Sequence, residues 1–328
     1  MYWYYKVILF AIIGAILYGV FSLVRPMLPD MPSFTSPDPI EEKVEERQGP
    51  VNNQHNDSSS ASTPQKIVAP VKKLRKVSLP ATLQSKLTEA KDLYTRHQRT
   101  DEAFDIAIKI LEDPAVPQFS NAWYEVADFI SALNTKLFFS SAPSKRKINH
   151  QVKRGDSLSK IAGNYTTIRG LQRANNIPLD SGIIHPGDVM RLFPGGWEIE
   201  VIKNQYILIL RQNGQFFKYY KVGVGKEDRT PEGKFIIRGK VEDPIWEKRN
   251  GERIQPGDPR NVLGTRWMKL IPMEGTAITG SGYGIHGTTQ PDSVGTPASQ
   301  GCIRMRNSDV EELFDIIPDI LVEVLIRK

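Results

Sequence analysis

A single cysteine occurs among the 328 residues, Cys302 in the stretch SQGCIRM, and His286 in YGIHGTTQ precedes it by 16 positions. A thiol of ordinary pKa needs a neighbouring imidazole or positive charge to become a useful nucleophile. His286 is the candidate base. Its other ring nitrogen needs an acceptor to fix the tautomer, and no Asp or Asn lies in an obvious place, so the backbone carbonyl of Gly287 is the candidate. Gly301 lets a substrate approach the chain closely, and the N–H groups of Gly301 and Cys302 are candidates for an oxyanion hole. In an extended segment Arg304 falls on the same face as Cys302, where it would lower the thiol pKa or grip a carboxylate. Taken bare, the lone cysteine leaves three roles open: an inert buried hydrophobe, a crosslink between chains, or a reactive thiol.

The N-terminus bears on that choice. MYWYYKVILFAIIGAILYGVFSLVRP carries no charge from Val7 to Val24, 18 residues, about 27 Å as a helix and long enough to span a hydrocarbon core. Tyr2, Trp3, Tyr4 and Tyr5 sit where an interfacial aromatic belt would sit, and no good small-x-small cleavage site follows. Residues 1–25 therefore read as a transmembrane signal anchor, with the N-terminus cytoplasmic and the body exported to the periplasm or cell wall. Outside the cytosol structural cysteines pair, and a single one cannot pair within its own chain.

The length admits two or three domains of roughly 100–150 residues beyond the anchor. The net charge of +6 is mild. Without a GxxxxGK[ST] loop, a CxxC pair or an HExxH helix, nucleotide, nucleic-acid and metal readings lack support, and the chemistry calls for no cofactor. Residues 26–77, rich in Pro, Ser, Asn and charge, read as a disordered linker. In 78–140 apolar residues recur at helical spacing (Leu83, Leu87, Ala90, Tyr94; Phe104, Ile108, Leu111; Trp123, Val126, Phe129, Ile130, Leu133), which predicts a helical hairpin or three-helix unit. Residues 148–193 predict strand, two helices and strand, with Asp156 capping the first helix. From 196 to 328 short strands dominate, broken at KN, QNG and TPEG, with one late helix opened by a Ser308/Glu311 capping box. The expected fold class is thus multidomain: a transmembrane helix, a small α-helical segment, a βααβ module and a mainly-β, sandwich-like or barrel-like body. The polar stretch 242–262 is long for an idle loop and is a candidate lid.

Two resemblances attach to these segments. VKRGDSLSKIA, ANNI and IHPGDVMRL resemble the opening, middle and end of a lysin-motif (LysM) domain. That resemblance implies binding to glycan strands containing N-acetylglucosamine. GIHGTTQPDSVGTPASQGCIRMRNSDVEELF, with VGVGKEDRTPEGKFIIRGK and NVLGTRWMKL upstream, resembles the L,D-transpeptidase family over about 197–328. It implies Cys302 as nucleophile and His286 as its base, with Ser299, Gly301 and Arg304 at the remaining motif positions and Ser299 and Arg304 as substrate-binding residues. The implied substrates are peptidoglycan stem peptides, attacked at the third residue with release of D-alanine. Gln300 stands where the family commonly has a second histidine. A sortase would carry its Arg farther beyond the Cys, and an NlpC/P60 peptidase would place Cys before His. An L,D-carboxypeptidase and a non-catalytic wall-binding protein remain as alternatives.

Overall fold

The tract ILIL at 207–210 is apolar on both faces of one strand, so it must be covered on both sides. The computed structural model describes residues 76–328 apart from 249, 279–281 and 320–321. Leu208 and Leu210 join the main core with Phe217, Phe235 and Ile303, while Ile207 and Ile209 pack with a layer of helices. The expected membrane anchor and nearly all of the expected linker lie outside the described residues. Among those residues, no helix is long and apolar enough to cross a membrane.

The covering layer is α1 (Ala81–Thr95), α2 (Thr100–Leu111) and α3 (Asn121–Phe138). Ser120 caps α3, its hydroxyl accepting the Trp123 N–H at 3.2 Å, which satisfies one of the orphan donors of the first turn. The apolar positions expected to form its core are buried, except Tyr94 and Phe129, which lie partly exposed and meet edge to face. Trp123 packs on Phe216 with ring centroids 5.6 Å apart, and buried Asn134 donates to the Phe217 carbonyl at 2.8 Å. The helices therefore cap the outer face of one sheet edge.

The next unit pairs β1 (Ile148–Gln151) antiparallel with β2 (Val189–Leu192), Ile148 opposite Leu192, around α4 (Leu158–Ala162) and α5 (Ile168–Ala174). Its core is Val152, Leu158, Ile161, Leu171, Met190 and Leu192. The cap of α4 is Ser157 rather than Asp156. The Asp156 carboxylate is instead engaged by the Lys153 N–H at 2.9 Å and by His150 at 2.8 Å, which ties the turn to β1.

The remaining strands are β3 (Trp197–Ile202), β4 (Ile207–Gln212), β5 (Gln215–Lys221), β6 (Val224–Gly225), β7 (Gly233–Glu242), β8 (Trp246–Glu247), β9 (Arg253–Ile254), β10 (Arg266–Pro272), β11 (Gly284–His286), β12 (Pro297–Ser299), β13 (Ile303–Arg304) and β14 (Val322–Arg327), with α6 (Asn307–Ile316) before the last. Eight of them form one sheet in the order β13-β11-β10-β7-β14-β3-β4-β5. Its two edges meet. Gly223, just past β5, exchanges backbone hydrogen bonds with Arg304 of β13 at 2.8 and 2.9 Å. The body is thus barrel-like, closed beside Cys302. The 242–262 stretch is not plain loop, because β8 and β9 pair within it. Asn261, 2% exposed, holds that stretch together by donating to the Pro244 carbonyl at 2.8 Å and to the Ile254 and Gln255 carbonyls at 3.3 Å.

Ile209 is fully buried between sheet and helices. Truncation to alanine leaves a cavity at that contact and is expected to lower unfolding free energy by about 2–5 kcal/mol. Urea denaturation of Ile209→Ala checks this, and a change under about 1 kcal/mol would mean that the helices do not cover the strand in solution.

Candidate active site

Strands β11 and β13 run parallel, with Ile285 opposite Ile303 and His286 opposite Arg304. Alternation sends Ile285 and Ile303 into the core and turns His286 and Arg304 to the other face. Cys302, two residues before Arg304, shares that face, diagonal to His286. On the next strand Trp267 pairs with His286, and their rings stack with centroids 5.5 Å apart at 28°. The apolar spacing of GIH and CIR thus places the thiol, the imidazole and the guanidinium around one spot.

His286 is 3% exposed. Its Nδ1 lies 2.6 Å from the Gly287 carbonyl oxygen. An oxygen that can only accept requires the proton on Nδ1, so Nε2 keeps its lone pair. Burial pushes the imidazole down to about 4, opposed by the Gly287 hydrogen bond and reinforced by the Arg304 charge. The Cys302 thiol, partly exposed, donates to the Gly282 carbonyl at 3.5 Å. Burial pushes it up to about 11, while a backbone hydrogen bond from Gly284 and the Arg304 charge pull it back. At neutral pH both groups are therefore uncharged.

Arg304 lies half-buried, and burial holds its guanidinium below the usual arginine range. Its Nε is buried without a hydrogen-bond partner. Among the described residues it forms no ion pair with a carboxylate. A half-buried guanidinium without a carboxylate partner beside a thiol can stabilise an anion there.

The loop carrying Cys302 is braced from inside. Ser299, 2% exposed, donates to the Cys302 carbonyl at 2.6 Å and accepts the Gly301 N–H at 3.1 Å. Two sequence expectations change as a result. The Ser299 hydroxyl is engaged within the loop rather than offered to a substrate, and the Gly301 N–H is not free for an oxyanion. The Cys302 N–H has no acceptor among the described residues. Thr230 fixes its direction: its hydroxyl donates to the Gly301 carbonyl at 2.9 Å and accepts the Gly225 N–H at 2.7 Å. The Gly301 carbonyl and the Cys302 N–H are opposite ends of one planar peptide unit, so holding the first aims the second. Gly301 has φ +135°, and a Cβ there would come within 2.8 Å of the Tyr283 ring, so only glycine fits. The Gln300 side chain accepts from Arg229 at 2.8 Å at the exposed rim.

Thr230, Trp267 and Asn307 were not among the residues singled out from the sequence. TPEG suggested only a turn. In RNSDVEE the expected Ser308 cap does not form. The helix begins at Asn307, whose Oδ1 accepts the Thr288 N–H at 2.9 Å and lies against Gly264 and Gly287. That side chain pins the turn just after His286.

The depressed imidazole pKa makes stability depend on pH. Below pH 6.5 the unfolded chain binds a proton at this histidine that the folded chain refuses down to about pH 4. Stability from His286 is full above pH 6.5 and is lost as the pH falls through that window, by about 3 kcal/mol. Urea titrations of the wild type and His286→Gln at pH 7 and pH 4 should show the wild type losing about that much more. Equal losses would place a solvated imidazole here.

Comparison with known proteins places two segments of the chain in known domain families. The family model for the YkuD-type L,D-transpeptidase catalytic domain matches residues 197–324, and the LysM domain model matches 150–193. YqjB of Bacillus subtilis, assigned to the L,D-transpeptidases, is 46% identical over 100 residues, 30% of this chain and 53% of that protein, so the chain spans about half the length of this relative. YkuD of Bacillus licheniformis, assigned likewise, is 33% identical over 178 residues, which are 52% of this chain and 93% of that protein. Among solved structures, the catalytic domain of the Enterococcus faecium L,D-transpeptidase is 25% identical over 40% of this chain and 96% of its own, with a TM-score of 0.30. The chain belongs to the YkuD L,D-transpeptidase family, with its catalytic domain preceded by a LysM domain.

Proposed function

We propose that this protein is a peptidoglycan L,D-transpeptidase in which Cys302 is the nucleophile. The observation that carries the reading is the joint placement of His286 and Arg304 on one face of β11 and β13 with Cys302 just before β13, its N–H without an acceptor and Arg304 without a carboxylate partner among the described residues. The substrate is a tetrapeptide stem. The sulfur adds to the carbonyl carbon of its third residue while Nε2 of His286 takes the thiol proton. Because thiol and imidazole are both neutral at rest, deprotonation accompanies attack instead of preceding it. Arg304 stabilises negative charge as it develops on sulfur, and the Cys302 N–H faces the oxyanion of the tetrahedral intermediate. Collapse breaks the bond to D-alanine, whose departing amine receives the proton from His286. The resulting thioester is resolved by an amine of a second stem or of a protein, restoring the thiol. Water in place of the amine would make the enzyme an L,D-carboxypeptidase.

The LysM domain supports glycan strands as a second ligand. The charge-free N-terminal stretch supports an exported body held at the cytoplasmic membrane. The hairpin β8–β9 is suited to act as a lid over the stem.

The deciding experiment incubates the purified full chain with disaccharide-tetrapeptide and follows products by mass spectrometry, with Cys302→Ala alongside. A dimer lacking one D-alanine, absent in the variant, is expected. Tripeptide monomer alone would mean a carboxypeptidase. If neither product forms and Cys302 also resists acylation by a carbapenem, the wall-binding alternative prevails.

Thr230 should matter to rate through the peptide that it holds. Thr230→Val keeps the volume but releases the Gly301 carbonyl, and kcat/KM is expected to fall roughly 10²-fold, since small misplacements of reacting groups carry penalties of that size. Thr230→Ser should restore most of the loss. An unchanged rate in Thr230→Val would show that the loop holds its shape without this bond.

A further inference from the structure

The LysM domain is fastened to the catalytic domain through one buried residue. Asp315, in the last turn of α6, is 3% exposed. Its backbone oxygen accepts the Thr166 hydroxyl at 2.8 Å and the Thr167 hydroxyl at 3.0 Å. Its carboxylate accepts from Arg173 at 2.6 Å. Gly170 of α5 packs so closely that a Cβ there would lie 2.2 Å from the same Asp315 oxygen. Two further contacts flank this point. Arg169 donates to Glu242 at 2.6 Å at the root of the β8–β9 stretch, and the Trp197 indole donates to the Tyr165 carbonyl at 2.7 Å. The Arg173 guanidinium also lies over the Phe139 ring, 3.8 Å from its centroid.

The other end of the same helix reaches the active site. Asn307 pins the Thr288 N–H just beyond His286, eight residues before Asp315, or about 12 Å along an α-helix. Glu242 in turn pairs with Arg266 at 3.4 Å, and Arg266 precedes the Trp267 that stacks on His286. A flexibly tethered binding module would show neither a buried carboxylate at its contact nor a glycine reserved for close approach. The docking uses residues 165–173. It leaves apart the loop where Leu179 and Ile183 are 57% and 70% exposed.

We propose that the LysM domain is a fixed subsite of the enzyme, held at a set distance from Cys302 by α6, so that the enzyme selects stem peptides on polymeric glycan strands over isolated disaccharide-peptides. This rests on the transpeptidase reading above. A strand held by one module then presents its stems at a fixed spacing to the other, and the second contact becomes intramolecular.

Two measurements on the full chain test it. Nitroxide labels on Asp180→Cys and Glu323→Cys in a Cys302→Ser background should give one narrow distance distribution by pulsed electron resonance. Arg169→Glu with Arg173→Glu, which sets carboxylates against Glu242 and Asp315, should broaden it. A broad distribution in the protein without the charge reversals overturns the fixed subsite. In the active chain, the double reversal should lower turnover of uncrosslinked glycan strands about tenfold or more, while turnover of soluble disaccharide-tetrapeptide stays within about twofold. Arg169→Glu alone should lose part of the strand preference, and adding Glu242→Arg should recover it. Equal loss on both substrates, or no strand preference in the unmodified chain, overturns the proposal. No turnover of either substrate would instead sink the transpeptidase reading, and the distance distribution would still decide whether the module is fixed.

Discussion

The meeting of Gly223 with Arg304 is the constraint on which the rest of the catalytic domain depends. An eight-stranded sheet has two edges whose backbone groups need partners, and here the edges supply each other through that pair of hydrogen bonds. The closure falls two residues from Cys302, so the thiol sits where the sheet is held from both sides instead of on a frayed edge. Gly223 suits the position because a Cβ would lie 2.6 Å from the Ser293 carbonyl oxygen. The short β6–β12 pair extends the seam and brings Gly225 beside Ser299. Thr230 then ties Gly225 to Gly301. Sheet closure and thiol placement are one structural event.

The electrostatics follow from that burial. A buried imidazole and a largely buried thiol are both driven toward their neutral forms, the thiol up to about 11 and the imidazole down to about 4. A preformed thiolate–imidazolium pair is disfavoured, which keeps a lone cysteine from reacting indiscriminately. Arg304 offsets part of this by favouring the thiolate. Its own guanidinium is only half-buried, without a carboxylate partner among the described residues, and its backbone is locked into β13 and the Gly223 bridge.

What could be read from the sequence divides by the range of the interaction. His286 and Arg304 lie on strands, and Cys302 directly before one, whose alternation is visible in GIH and CIR, and the Gly287 carbonyl adjoins the His286 ring, so their placement on one face was legible from spacing. The three-helix layer and the strand–helix–helix–strand module showed in local periodicity and turn residues. Thr230 acts on Gly301 from 71 positions away, and nothing local in TPEG distinguishes a hydroxyl that braces a loop from one that opens a turn. Ser299 could be named but not assigned, because whether its hydroxyl faces a substrate or its own loop is decided by the fold of three residues. Asn307 was hidden by a better-looking cap one position later. Asp156 and Ser157 were confused for the same reason: two adjacent residues of capping type, and a tertiary partner, His150, that claims one of them.

Helix α6 explains why the chain needs more than a sheet and a cysteine. Along ten residues it presents Asn307 to the turn after His286, Glu312 to Lys218 and Tyr220 of β5, and Asp315 to the LysM domain. Lys240 of β7 closes its last turn by donating to the Phe314 and Ile317 carbonyls at 2.7 and 2.8 Å, which satisfies acceptors that would otherwise be left bare. Strands far apart in sheet order, β5 and β7, are thus tied to one rod. A rod held at both ends and in the middle cannot tilt without breaking buried polar contacts, each worth about 1–3 kcal/mol when left unpaired. Loops alone could hold the cysteine in place, but only a rigid element can hold it in place relative to a second domain.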